Sequence, residues 1–329
     1  MALRASLPIS RGPGAPELDR SLAAGIERVR CRPAGGAVEA RPPVLLVHGM
    51  WHGAWCWREW QIQLAERGWE SHAFSLPGHG GSAPGRHPRW ATQGYYLRFL
   101  RSEVERLERP PVLLGHSLGA ALILRLLKER SDLPAAVLAA PVLAREMTSV
   151  ILDRFRDDFT GSLACFLTGT ATPCIRNAAV VRRMFLNGES AMAPEQLRQR
   201  LSPESLLVLL QHNPPFWRPP RRLRTPLLWL TPAADALMRL DASLRSARVV
   251  GAQAVILPGT AHDLMFDRRS PETLERIHRW LLAHVPAQPR NRKNSESVWA
   301  SAKIAAARST SSGRSPAKSR DSAGSSARS

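Results

Sequence analysis

Gly115-His116-Ser117-Leu118-Gly119 sets a serine between two glycines. A serine hydroxyl is a weak nucleophile, so a chain that uses one must present it sharply and place a base beside it. The pattern G-x-S-x-G has meaning only on a strand–turn–helix. That context is present. Pro111 to Gly115 is a short buried apolar run, and Ala120-Ala121-Leu122-Ile123-Leu124 opens a helix directly afterwards. The turn forces Ser117 into strained backbone angles, and glycines on either side let strand and helix pass closely. A serine that merely caps a helix needs neither glycine.

The elements around this turn follow one rhythm. Short apolar runs at Pro43–Val47, Glu70–Leu76, Pro111–Gly115, Ala135–Ala140, Pro226–Leu230 and Ala254–Leu257 read as strands. Helical patterns at Trp55–Arg67, Thr92–Glu108, Leu118–Glu129, Leu237–Val249 and Pro271–His284 separate or follow them. Continuous apolar strands alternating with amphipathic helices predict an α/β domain, a mainly parallel sheet covered on both faces. From about Ala144 to Trp217 the alternation stops. Helical composition persists there, including Gln196–Arg200 and Ser205–Gln211, without a clear strand. A stretch of that length is too long for a plain loop and is expected to be a helical insertion above the sheet, a lid.

Gly-His-Ser-Leu-Gly in this setting resembles the nucleophile elbow of the α/β-hydrolase superfamily. Two further segments strengthen the resemblance, which spans about residues 40 to 285. Val47-His48-Gly49-Met50 follows an early strand, as the superfamily's His-Gly turn does. Leu76-Pro77-Gly78-His79-Gly80-Gly81-Ser82 is similar to its D-x-P-G-H-G-x-S loop, with Ser75 at the usual Asp position. The string His52-Gly53-Ala54-Trp55-Cys56-Trp57 looks like the methylesterase and hydroxynitrile-lyase branch. The resemblance implies an oxyanion hole made by the backbone N–H groups of Met50 and Leu118. It also implies the chain order nucleophile, acid, base. His262, in Leu257-Pro258-Gly259-Thr260-Ala261-His262-Asp263-Leu264-Met265, is then the base, and Asp235, after the preceding strand, the acid that orients it. Asp241 and Asp263 are rival carboxylates. His48 is expected to stabilise its turn without titrating, His79 to carry no chemistry, and Trp51, Trp55, Trp57 and Trp60 to pack; the role of His52 stays open.

The implied activity is hydrolysis of a carboxylic ester or thioester through an acyl-enzyme on Ser117, of the carboxylesterase or lipase type. A small-molecule acyl ester is the expected partner, with no metal and no organic cofactor. Acyltransferase, carbon–carbon hydrolase, cofactor-free haloperoxidase and a non-catalytic ligand-binding homologue stay open as alternatives. Hydroxynitrile lyases of the related branch carry a lysine near the histidine, but no lysine lies between Lys128 and Lys293 here. Haloalkane dehalogenases and epoxide hydrolases use an Asp nucleophile, which Ser117 argues against.

Composition bounds the rest. The chain has 329 residues, of which 44% are hydrophobic, enough for one large domain. Residues 1–20, with four prolines and glycines between Pro8 and Gly14, read as a flexible leader, and 21–286 as the folded domain. Residues 287–329 hold nine Lys/Arg against two acidic residues and few large apolar ones. Such a segment cannot bury enough surface to order itself and is expected to be a disordered basic tail. The net charge of +19 is mostly arginine. No zinc-finger or RNA-binding signature accompanies it, so no specific nucleic acid is expected. The tail is suited at most to weak contact with anionic surfaces. The four cysteines show no CxxC pairing, no run of apolar residues is long enough to span a membrane, and the N-terminus lacks a signal-peptide core, so the expectation is cytoplasmic.

Overall fold

The structure is a computed structural model that describes residues 16–34, 41–141, 144–212, 216, 218, 220–221 and 223–286. The expected basic tail and most of the expected leader lie outside the described residues. Eight strands form one sheet: β1 (Leu18–Ala23), β2 (Ile26–Cys31), β3 (Val44–Val47), β4 (Ser71–Phe74), β5 (Val112–His116), β6 (Ala136–Ala139), β7 (Leu227–Pro232) and β8 (Gln253–Leu257). Their order is β1-β2-β4-β3-β5-β6-β7-β8. The pairs from β4 to β8 are parallel, and β1 and β2 join antiparallel at one edge. This is the mainly parallel sheet expected from the alternation, in the α/β-hydrolase fold that the resemblance implies.

The helices between the strands are α1 (Arg58–Glu66), α2 (Gln93–Arg106), α3 (Leu118–Leu127), α9 (Leu240–Val250) and α10 (Ser270–His284). One face of the sheet, through Leu46, Leu114, Val137 and Leu228, packs with Trp60 and Leu64 of α1 and Ile277 and Leu281 of α10 in a single apolar core. On the other face Trp229 of β7 donates its indole N–H to Ser243 of α9 at 2.8 Å. Both faces of the sheet are therefore covered, which is why the central strands could be apolar throughout.

Between β6 and β7 the chain makes five helices: α4 (Ala144–Asp157), α5 (Phe159–Thr168), α6 (Ala178–Phe185), α7 (Pro194–Arg200) and α8 (Leu206–Leu210). Among the described residues this insertion contributes only isolated bridges, Thr170–Ser205 and Ser190–Asp267, and no strand of the sheet. Its helices are cut where caps and breakers fall. Asp158 accepts from Gly161 N to start α5, Gly169 ends it at φ +68°, and Asn177 accepts from Val180 N to start α6.

One boundary differs from expectation. The sheet begins at Leu18, inside the stretch read as leader, and β1 with β2 was not foreseen. Both strands carry charges, and β1 is largely exposed, so neither shows an apolar run. Their turn uses Ala24 (φ 52°) and Gly25 (φ 74°). A two-residue hairpin of that kind usually announces itself as Asn-Gly, and Ala-Gly does not.

The hairpin matters because β2 delivers Glu27. Its buried carboxylate accepts from Ser75 Oγ at 2.6 Å and from Gly81 N at 2.7 Å, and Ser75 Oγ in turn accepts from Ala54 N at 2.8 Å. Glu27 thus brings a carboxylate from β2 to the loop that follows the neighbouring strand β4. Removing it leaves buried donors unpaired. Glu27→Ala is expected to lower the unfolding free energy by about 2–4 kcal/mol, and Glu27→Gln by less. Urea unfolding of the two variants checks this; equal stability of wild type and Glu27→Ala would contradict it.

Candidate active site

Ser117 sits between β5 and α3 with φ 49° and ψ −113°, a conformation L-residues rarely hold. It is buried, at 9% exposure. The glycines beside it are needed for close approach. A Cβ on Gly119 would fall inside the van der Waals envelope of the Val47 carbonyl on β3, and one on Gly49 would lie 2.7 Å from His116 Nδ1. The His-Gly turn after β3 and the serine turn after β5 are thus pressed together. They lie where the connections leave the sheet in opposite directions, the crevice in which doubly wound sheets place ligands.

His262 follows β8 and Asp235 follows β7. His262 Nδ1–H donates to Asp235 Oδ2 at 2.7 Å, with both side chains out of solvent. The other oxygen, Oδ1, accepts from the amides of Leu237 (2.8 Å) and Met238 (3.0 Å). Asp235 therefore caps its own loop with one oxygen and holds the histidine with the other. Burial pulls the His262 pKa down, but the Asp235 carboxylate, by charge and hydrogen bond, and nearby Asp263 outweigh it, so the pKa is raised above the ordinary 6.5. The rival Asp241 lies on α9, paired with Arg245 at 2.7 Å and away from the histidine.

His262 is also held through its backbone, since its carbonyl accepts from His116 Nε2 at 3.1 Å. His116 immediately precedes Ser117, and its ring centroid stands 4.9 Å from that of His262. Among the described residues, Ser117 Oγ and His262 are not joined by a hydrogen bond. Leu118 opens α3, so its amide has no partner within that helix.

His48 behaves as expected. It donates from Nδ1 to the Gly49 carbonyl at 2.8 Å and accepts from Leu76 N at 2.9 Å, while burial holds its pKa well below 6.5. His79 sets its ring at a tilt to that of His48 and edge-on to that of Tyr96, with Nε2 3.2 Å from buried Glu204 of the insertion. Trp57 and Trp60 are core residues.

The open question of His52 has a structural answer. It donates from Nδ1 to the Met50 carbonyl at 2.8 Å and from Nε2 to Asp263 Oδ2 at 2.9 Å. Met50, whose amide is expected to face an oxyanion, is thereby tied through its carbonyl to the residue after His262. Burial pushes Asp263 up, but His52, then His116 and His262, bring its pKa below the ordinary value. His116, His262 and Asp263 bring ligand-type atoms within 4.8 Å of one another. Of the polar atoms of these side chains, His262 Nδ1 is engaged with Asp235, His116 Nε2 with the His262 carbonyl and Asp263 Oδ2 with His52. Trp51 departs from pure packing. It holds φ 64°, donates to the Ala171 carbonyl of the insertion at 3.2 Å, and lines the cavity described next. Trp51, His52 and Asp263 all stand in or beside segments singled out in the sequence, but their roles come from contacts between distant loops that no local pattern shows.

A cavity, partly open to solvent, lies between these loops and the insertion. Met50, Ser117 and Met238 supply its floor, and α4, α5, α6 and α8 its walls, through residues such as Ile151, Phe166 and Met184. The lining is almost wholly apolar, with Arg154 as its one charged residue among those described.

Known proteins agree with this architecture. The monoglyceride lipase of Saccharomyces cerevisiae, solved as a soluble variant with a substrate analogue, superposes with a TM-score of 0.61 over 85% of this chain and 99% of that one, at 17% identity. A proline iminopeptidase-related protein of Thermus thermophilus gives 0.59 over 83% and 99%, at 22% identity. A laboratory-evolved potato epoxide hydrolase gives 0.57 over 81% and 99%, at 15% identity. Likeness at such identities shows the fold alone, and the three names show how many reactions it hosts. In sequence, 109 residues are 33% identical to a pyrethroid hydrolase of Sphingobium wenxiniae, covering 31% of this chain and 39% of that protein. Residues 44–276, from the first parallel strand into the last helix, match the model of the alpha/beta hydrolase family. With the elbow, the sheet order and the post-strand loops all in place, the chain belongs to that family.

Proposed function

We propose that the chain is a serine hydrolase that cleaves a carboxylic ester, or thioester, bearing an apolar acyl group. The observation that carries this reading is the 2.7 Å hydrogen bond from His262 Nδ1 to Asp235, made beside the strained serine turn. With Nδ1–H committed to the carboxylate, the neutral ring keeps its lone pair on Nε2. Ser117 Oγ attacks the carbonyl carbon and His262 Nε2 takes the hydroxyl proton. Asp235 holds the imidazole in this tautomer and stabilises the imidazolium that forms. The oxyanion meets the amides of Met50 and Leu118, each contributing about 3 kcal/mol in such sites. His262 then protonates the leaving alcohol, and water, activated by the same histidine, releases the acid from Ser117. Hydrogen bonds of this kind commonly tighten only once substrate is bound, which fits a free serine hydroxyl at rest.

The apolar walls favour an acyl chain over a charged group. The insertion acts as a lid, shielding the carbonyl from bulk water and strengthening every charge interaction around it. The partial likeness to a pyrethroid hydrolase is in keeping with an ester substrate.

Three outcomes follow. A fluorophosphonate probe should label the wild type and fail to label Ser117→Ala; absence of labelling in the folded wild type would remove the reading. With p-nitrophenyl esters, each added acyl methylene should raise kcat/KM by about two- to fourfold until the cavity is filled; a preference for acetate would contradict the acyl site. The base works only when neutral, so activity is lost as pH falls through the His262 pKa. Because that pKa is raised, the acid limb of kcat/KM should lie above 6.5. Asp235→Asn should move the limb down and cut kcat by about three to four orders of magnitude, while Asp241→Asn leaves both unchanged. A pH–rate series on the three proteins decides this.

A further inference from the structure

The cavity holding Ser117 is also lined by two thiols, Cys165 on α5 and Cys174 in the 3-10 turn Thr172–Ile175. Their sulfurs stand 3.1 Å apart, and both are free. Gly169, left-handed at φ +68°, turns the chain back so that the 3-10 turn meets α5. The turn is anchored from outside, with Ala171 N donating to the Glu204 carbonyl at 2.8 Å. A disulfide bond is about 2.05 Å long, so the sulfurs need approach by only about 1 Å. We propose that Cys165 and Cys174 form a redox modification site in the cavity wall, where a small hydroperoxide converts the pair to a disulfide.

The pair is chemically unequal. Cys174 lends a hydrogen bond that draws the Cys165 thiol below its ordinary pKa, while that same contact and burial push Cys174 up. Cys165 is thus the more readily ionised of the two and the attacking sulfur, and Cys174 the resolving thiol. The Cys165 thiolate attacks one oxygen of hydrogen peroxide. The O–O bond breaks, a sulfenic acid forms, and the leaving hydroxide takes a proton to become water. Cys174 then attacks the Cys165 sulfur, the S–S bond forms, and the sulfenic oxygen leaves as a second water after taking the Cys174 proton. Two thiols give up two electrons, and one peroxide becomes two waters. The other cysteines stay out of this chemistry. Burial pushes Cys56 far up and Cys31 to about 11, so both remain thiols.

The bond would clip α5 to the 3-10 turn across a wall shared by Cys165, Phe166 and Cys174. On the serine-hydrolase reading, the oxidised cavity should then discriminate acyl lengths differently from the reduced one.

The test uses the full chain, treated with hydrogen peroxide, quenched with catalase, alkylated with N-ethylmaleimide and digested with trypsin. Both thiols fall in the peptide from Asp157 to Arg176. This peptide should lose about 2 Da and accept no maleimide, and dithiothreitol should restore two alkylatable thiols. In Cys174→Ser the loss should be absent, and Cys165 should instead carry a dimedone-reactive sulfenic acid. A folded wild type that keeps both thiols alkylatable after peroxide would overturn the site. Oxidation should also change the long-chain to short-chain p-nitrophenyl ester rate ratio by about threefold or more, reversibly with dithiothreitol. Met sulfoxide is not reversed that way, which separates the two lesions. An unchanged ratio in the disulfide form would overturn the effect on the cavity. A chain without esterase activity would sink the hydrolase reading alone, since the mass readout does not depend on turnover.

Discussion

The structure turns on how closely two backbone turns approach each other. The His-Gly turn after β3 lies against the serine turn after β5, with no room for a Cβ on Gly49 or Gly119. That contact requires adjacent parallel strands, and β3 and β5 are paired from Val44–Val112 to Val47–Gly115. It also holds Ser117 at φ 49°. A strained residue persists only where its surroundings over-determine it. Here the surroundings are the buried strands β3, β5 and β6 together with helix α3, buried at every residue but Arg125.

Around that contact lies a buried polar web that joins loops far apart in the chain. His116 holds the carbonyl of His262, His52 joins the Met50 carbonyl to Asp263, and Asp235 holds the His262 ring. The serine turn, the His-Gly turn and the loops after β7 and β8 thus share partners within a few residues. Buried polar groups cost several kcal/mol when unpaired, so a set of this kind favours one arrangement of the loops over others. The insertion closes the web from above, with Phe185 accepting from Asp263 N at 3.0 Å and packing its ring 6.0 Å from His262.

The parts of this architecture that rest on local signals were legible in the sequence. Parallel strands buried on both faces must be apolar throughout, and the runs ending at Val47, Gly115 and Leu230 could be read directly. Ser117, Asp235 and His262 were legible because each sits in a turn just after such a run. The edge hairpin was not, because β1 and β2 face solvent on one side and pair their charges, Arg28 reaching Glu103 on α2 and Arg30 reaching Glu70. Neither Leu18–Ala23 nor Ile26–Cys31 keeps a regular apolar/polar alternation, and without an Asn-Gly turn between them they give no distinct strand signal. Nor could His52, Asp263 and Glu27 be assigned, since each acts through a partner tens to hundreds of residues away. The pairing of Cys165 with Cys174 depends on the turn at Gly169, and nothing in their spacing announces it.

The central claim is that Ser117 carries the acyl group between two half-reactions. Rapid acid quench of the wild type during turnover of p-nitrophenyl butyrate, followed by peptide mass spectrometry, tests it most directly. The account predicts a butyryl ester on the peptide containing Ser117, appearing with the first release of nitrophenol and vanishing when substrate is exhausted. Steady turnover with that peptide unmodified, or with the acyl group on another residue, would contradict it.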